Sequence, residues 1–117
     1  MKDSLEMVKL AVKALEDKKA EDVRVLDIRE VSILADYFII ASGNNINQVQ
    51  ALADNVKEEL FKLNLEPKNV EGYRNASWIL LDYTEVIVHI FSKDDRIFYD
   101  LERIWRDGRE IEIKELN

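Results

Sequence analysis

Apolar residues recur at two spacings along the chain, and those spacings divide it into helices and strands. From 4 to 18, Leu5, Val8, Val12 and Leu15 fall three and four apart, with Lys9, Lys13 and Glu16 off that stripe. This predicts an amphipathic helix. Asp3 or Ser4 can accept from the orphan N–H groups at its start. The stretch DVRVLDI, 22–28, sets Val23 and Val25 against Arg24 and Leu26 and predicts a strand. DYFIIASG, 36–43, is continuously apolar at its centre. That predicts a strand covered on both faces and therefore central in its sheet.

Gly43 breaks the pattern, and Asn44 or Asn45 is a suitable N-cap for a second helix. Val49, Leu52, Val56, Leu60 and Leu63 mark that helix over 46–63, and Pro67 prevents it from continuing. NVEG predicts a short strand. Two β-rich runs, 77–83 and 86–92, are split by Thr84 and Glu85 and predict a hairpin. Asp94 or Asp95 can cap a last helix with Ile97, Phe98, Leu101, Ile104 and Trp105 on one stripe, and Gly108 is a helix stop. The final REIEIKELN alternates briefly and reads as a loose strand or as a frayed end. The order α-β-β-α-β-β-β-α predicts one α/β domain over 1–107, a mixed β-sheet packed with helices, followed by a C-terminal tail at 108–117.

Composition narrows the chemistry. The chain has no cysteine, which removes disulfides, thiolate nucleophiles and thiolate metal sites. A single histidine excludes a multi-histidine zinc site and leaves only carboxylates for a magnesium ion. The formal net charge of −7 repels phosphate, so little direct nucleic-acid binding is expected, and a basic protein partner is favoured. No apolar run is long enough to cross a bilayer, and the N-terminus lacks the apolar core of a signal peptide. The expectation is a cytoplasmic protein that no membrane holds.

Catalytic patterns are thin. Asp27, Asp36 and Asp82 stand in or beside predicted strands and are the candidates for a magnesium-dependent nucleotidyltransferase-like site, yet no D-x-D pair accompanies them. Ser42-Gly43 before a helix could cradle a phosphate, but no P-loop lysine comes after it. No G-x-S-x-G elbow surrounds any serine. His89, between Val88 and Ile90, has the setting of a hydrogen-bonded structural residue more than that of a base.

The hairpin itself, WILLDYTEVIVHIF, carries a sharper signal. By alternation Trp78, Leu80 and Asp82 share one face, and Ile79, Leu81 and Tyr83 the other. A carboxylate is costly in a dry core, so the Trp78 face should approach solvent. Tryptophan beside leucine on an open sheet face marks either a contact site or a surface that the last helix, with Phe98 and Trp105, covers.

SILADYFIIASG (32–43), VEG (70–72), SWILLDYTEVIVHIF (77–91) and RIFYDLERIW (96–105) together resemble the Iojap-type ribosomal silencing factor family. The resemblance runs from the first helix to Trp105. It implies a fold similar to nucleotidyltransferases without their catalytic acids, no cofactor and no enzymatic activity. It also implies a translation repressor that binds the large ribosomal subunit through its fourteenth protein and blocks joining of the small subunit when nutrients are scarce. A homodimer is a further implication. Carried onto this sequence, the partner-binding residues are Trp78 as anchor, Leu80 and Tyr83 extending the contact, Asp82 pairing with a basic group, and Tyr99 on the final helix.

Overall fold

The computed structural model describes residues 4–30, 32–33, 35–93 and 108–116. Helix α1, Ser4–Asp17, buries Met7, Val8, Ala11, Val12, Ala14 and Leu15 along one side. Small alanines widen the stripe and let the helix lie close to its support. Helix α2, Ile46–Phe61, buries Val49, Leu52, Ala53, Val56 and Leu60. Its start is fixed by Asn45, whose Oδ1 accepts from the Gln48 N–H at 2.9 Å. Such a cap stabilises a helix by about 1 kcal/mol.

Among the described residues the strands are β1 (Glu21–Asp27), β2 (Tyr37–Gly43), β3 (Asn69–Glu71), β4 (Trp78–Asp82), β5 (Val86–Ser92) and β6 (Arg109–Ile111). They form one mixed sheet in the order β3-β4-β5-β2-β1-β6. All neighbours are antiparallel except β2 and β5, which run parallel from Tyr37 beside Val86 to Gly43 beside Ser92. The α/β reading of the sequence is therefore the observed fold class, and β2 is central, as its unbroken apolar run requires. Arg109–Ile111, which the sequence pattern places in a tail, pair with β1 as an edge strand.

The two helices share one face of the sheet. Their buried residues merge with Val25, Ile39, Ala41, Ile79, Leu81, Val88 and Ile90 into the main core. Gly43 permits this packing at the end of β2: a β-carbon there would lie 2.9 Å from Cγ2 of Val49 and crowd the first turn of α2. The opposite face carries a second, smaller cluster of Leu26, Ile28, Ala35, Ile40 and Phe91, with Phe38, Trp78 and Ile87 packed against it. Neither α1 nor α2 contributes a residue to this cluster. The helix expected after Asp94, including Phe98, Tyr99 and Trp105, lies outside the described residues.

The hairpin tip is tied down at several points. Asp82 Oδ1 accepts from the Thr84 N–H at 2.7 Å, and the Glu85 N–H reaches back to the Tyr83 carbonyl at 2.9 Å. The Glu85 carbonyl accepts from the N–H groups of both Asp36 at 2.7 Å and Tyr37 at 3.1 Å, which fastens the tip to the start of β2.

Candidate interaction face

Register places the side chains of interest. Across β4 and β5, Trp78 is opposite Phe91, Leu80 opposite His89, and Asp82 opposite Ile87. Across β5 and β2, Ile87 lies beside Phe38 and His89 beside Ile40. On the outer side, Glu71 is opposite Leu80 and Asn69 opposite Asp82. Directly opposed residues share a face. One surface therefore carries Trp78, Leu80, Asp82, Phe38, Ile87 and His89, with Glu71 and Asn69 at its rim, on the side away from α1 and α2.

Exposure changes across this surface. Ile40 and Phe91 are fully buried, whereas Phe38, Trp78, Leu80, Asp82 and Ile87 are each half-buried. Their sequence neighbours Ile79 and Leu81 are sealed in the main core. Apolar area is thus available along β4, with the carboxylates of Asp82 and Glu71 beside it. Trp78, Leu80 and Asp82 lie on one face, as alternation predicts.

The indole is held by aromatic neighbours. Its ring stacks on Phe91 at 5.3 Å between centroids, tilted by 27°. Its Nε1–H donates to Nδ1 of His89 at 3.1 Å. Phe38 meets the imidazole edge-on at 4.7 Å. His89 is 4% exposed, and its Nε2 has no hydrogen-bond partner among the described residues. Since Nδ1 accepts, the neutral ring carries its proton on Nε2. Burial disfavours the imidazolium and pushes the His89 pKa down to about 4.

Gly72 sets the approach of β4 to the turn before it. It has φ of +77°, and a β-carbon would collide with the Trp78 carbonyl oxygen. The Glu-Gly pair of the VEG stretch is therefore one local device: Glu71 faces outward beside Leu80, and Gly72 turns the chain tightly against the strand bearing Trp78.

Of the expected contact residues, Tyr83 stands apart from this surface. Tyr83 does not share the Trp78 side. Strand β4 ends at Asp82, and Tyr83 is 6% exposed within the helix-side core. No bulge reverses its parity, so the ring stays on the side that alternation assigns it. Tyr99 is outside the described residues. Phe38, Ile87 and Glu71 are absent from the sequence-based expectation, although they border Trp78 and Leu80 here. The hairpin turn alone implies Ile87 opposite Asp82, but Phe38 becomes a neighbour only through the parallel pairing of β2 with β5.

Of the acids considered for a metal, Asp27 and Asp82 do not converge. Asp27 and Asp82 stand on β1 and β4, with β5 and β2 between them, a separation of about 14 Å at the usual strand spacing. They also point to opposite faces, Asp27 being paired with Tyr37 and Asp82 with Ile87. Asp27 is engaged by Arg29, with 2.7 Å from Nη2 to Oδ2, and Arg109 lies 3.5 Å away. The Arg29 guanidinium holds the Asp27 carboxyl down at about 2. Among the described residues no three His, Cys, Asp or Glu side chains are grouped to hold a metal ion. At the Ser42-Gly43 turn Ser42 is buried, and Asn45 and Gln48 occupy the start of α2 by bonding to backbone N–H groups.

Comparison with known proteins adds a lineage to this geometry. The family model described as "Ribosomal silencing factor during starvation" matches residues 1–117. The ribosomal silencing factor of Halalkalibacterium halodurans is 43% identical over 109 residues, which is 93% of either chain. That of Bacillus subtilis is 43% identical over 102 residues, covering 87% of this chain and 86% of the relative. The chloroplastic protein Iojap of Zea mays is 32% identical over 114 residues, and the match spans 50% of its length. A crystal structure from Chromobacterium violaceum superposes with a TM-score of 0.85 at 34% identity, covering 93% of this chain and 90% of that one.

Proposed function

Because the chain belongs to the ribosomal silencing factor family, we propose that it represses translation by docking its Trp78 face on the large ribosomal subunit. The fourteenth protein of that subunit is the partner, and the small subunit is excluded from the same surface. The observation that carries this reading is a half-buried tryptophan on the sheet face that α1 and α2 leave alone, flanked by Leu80, Phe38 and Ile87. Trp78 enters a pocket on the partner, and Leu80 extends the apolar contact. Asp82 and Glu71 meet basic groups at the rim.

The mechanism requires no bond-making. Two bodies cannot occupy one surface, so the effect depends on affinity and concentration. The formal charge of −7 disfavours ribosomal RNA as a competitor and assists encounter with a basic protein. Asp82 has one oxygen committed to the Thr84 N–H, so its other oxygen is the one offered to a cation. The protein acts in the compartment where ribosomal subunits join, the cytoplasm. The nucleotidyltransferase reading has no support in Asp27 and Asp82, which stand on separate faces.

The test is sedimentation of purified subunits with and without the protein. The joined ribosome should give way to free subunits as the protein is added. Trp78→Ala should weaken binding to isolated large subunits by about thirtyfold while the fold persists. Full subunit joining with the protein in excess, or undiminished binding by Trp78→Ala, overturns the reading. Loss of self-association alone in that variant would assign the face to a homodimer instead.

A further inference from the structure

Beneath the anchor lies a histidine whose presence the fold alone does not explain. His89 occupies the middle of β5, 4% exposed, with Phe38 edge-on at 4.7 Å and the Phe91 ring nearly parallel at 6.3 Å. An aliphatic residue would fill this place without a polar cost. The imidazole instead leaves Nε2 buried and, among the described residues, unpartnered, an arrangement that is destabilising and uncommon in native proteins. What the histidine supplies is an acceptor. Nδ1 lies 3.1 Å from the indole Nε1 of Trp78.

We infer that His89 is a positioning residue for docking: it fixes the rotation of the Trp78 ring so that the anchor is set before the partner arrives. The inference rests on the docking role proposed for Trp78. A tryptophan on an open surface has two free torsions, and ordering a side chain on binding costs affinity. Here stacking on Phe91 fixes the plane of the ring, and the hydrogen bond fixes which edge points inward. The polar N–H is thereby satisfied within the protein, and only the apolar remainder of the ring is left for a partner to meet. A partner pocket meeting this anchor is expected to be apolar and to need no acceptor for the indole. What the position needs for this work is a lone pair within reach of the indole N–H, and the imidazole supplies it from Nδ1.

The experiment compares His89→Leu, His89→Gln and Trp78→Ala, in the full chain, for dissociation from purified large subunits. The indole N–H resonances are monitored by NMR, with the Trp78 signal identified by its absence from Trp78→Ala. His89→Leu should shift the Trp78 N–H signal upfield and speed dissociation about three- to tenfold. His89→Gln, which offers an acceptor oxygen, should recover most of both. If His89→Leu dissociates at the wild-type rate while Trp78→Ala is released, docking stands and the positioning role is overturned. If Trp78→Ala itself binds undiminished, docking fails and the positioning role goes with it. Should His89→Leu not fold, His89→Phe removes the acceptor and leaves the Trp78 ring intact; wild-type dissociation in that variant overturns the inference, and faster dissociation supports it.

Discussion

Gly72 lies so close against the carbonyl of Trp78 that no β-carbon fits between them, and its φ of +77° is one that L side chains rarely adopt. The turn and the anchor strand are thereby locked as one unit. Gly72→Ala is expected to lower stability by about 2 kcal/mol or more, from left-handed strain and the collision together. Urea unfolding monitored by tryptophan emission measures it. A midpoint equal to that of the parent would mean that the turn opens freely and does not set β4.

Acid stability should fall in two separable steps. His89 titrates at about 4 in the fold against 6.5 ordinarily, so between those values the unfolded chain binds the extra proton. The contribution of the neutral ring is complete above 6.5 and is lost as pH falls toward 4, to a limit of about 3 kcal/mol. Asp27, lowered from 3.8 to about 2 by Arg29, contributes above 3.8 and loses that contribution as pH falls toward 2. In His89→Leu the first step should vanish and the second remain. Unfolding free energies of both proteins across the two ranges decide it; a first step that survives in the variant assigns it to another group.

The Tyr83–Glu85 turn holds a β-branched residue, Thr84, at φ of +74°. Glycine occupies that region without steric cost but is freer in the unfolded chain. Thr84→Gly should therefore stabilise by roughly 0.5 kcal/mol net. Thermal unfolding checks the sign. A clear loss of stability would show that the threonine side chain, not only the backbone, maintains the turn.

Glu71 is exposed on the short edge strand and lies opposite Leu80. If it guides a basic partner, Glu71→Lys should slow association with large subunits by roughly threefold at low salt and leave dissociation nearly unaltered. Stopped-flow mixing at low and high salt separates the two rates. Equal association of variant and parent at low salt would place the electrostatic guidance elsewhere.

The elements themselves are legible in the sequence because their periods differ. Val8, Val12 and Leu15 repeat as a helix does, and Ile79 and Leu81 alternate with Leu80 and Asp82 as a half-covered strand does. Alternation also assigns Tyr83 to the face away from Trp78; the family resemblance alone suggests a contact for it, and its ring lies in the core. Strand order is not legible. Nothing in YFIIASG reveals that Phe38 will border Ile87, because a parallel pair has no turn to fix its register. The continuous apolar run hides which of its two faces is less covered. The brief alternation of REIEIKELN leaves a loose strand and a frayed end both open, and only pairing with β1 makes 109–111 an edge strand. The hydrogen bond from Trp78 to His89 is hidden for a related reason, since it joins two strands whose patterns are each complete without it.

The parallel pairing of β2 with β5 joins distant stretches of chain, and the face bearing Trp78 contains residues from both. During synthesis β2 can pair with β1 first, and its parallel partner β5 follows only after α2, β3 and β4 have been made. The anchor tryptophan gains its stacking and its acceptor only when Phe91 and His89 arrive. A chain that has not yet made β5 therefore cannot form the face on which the proposed docking depends.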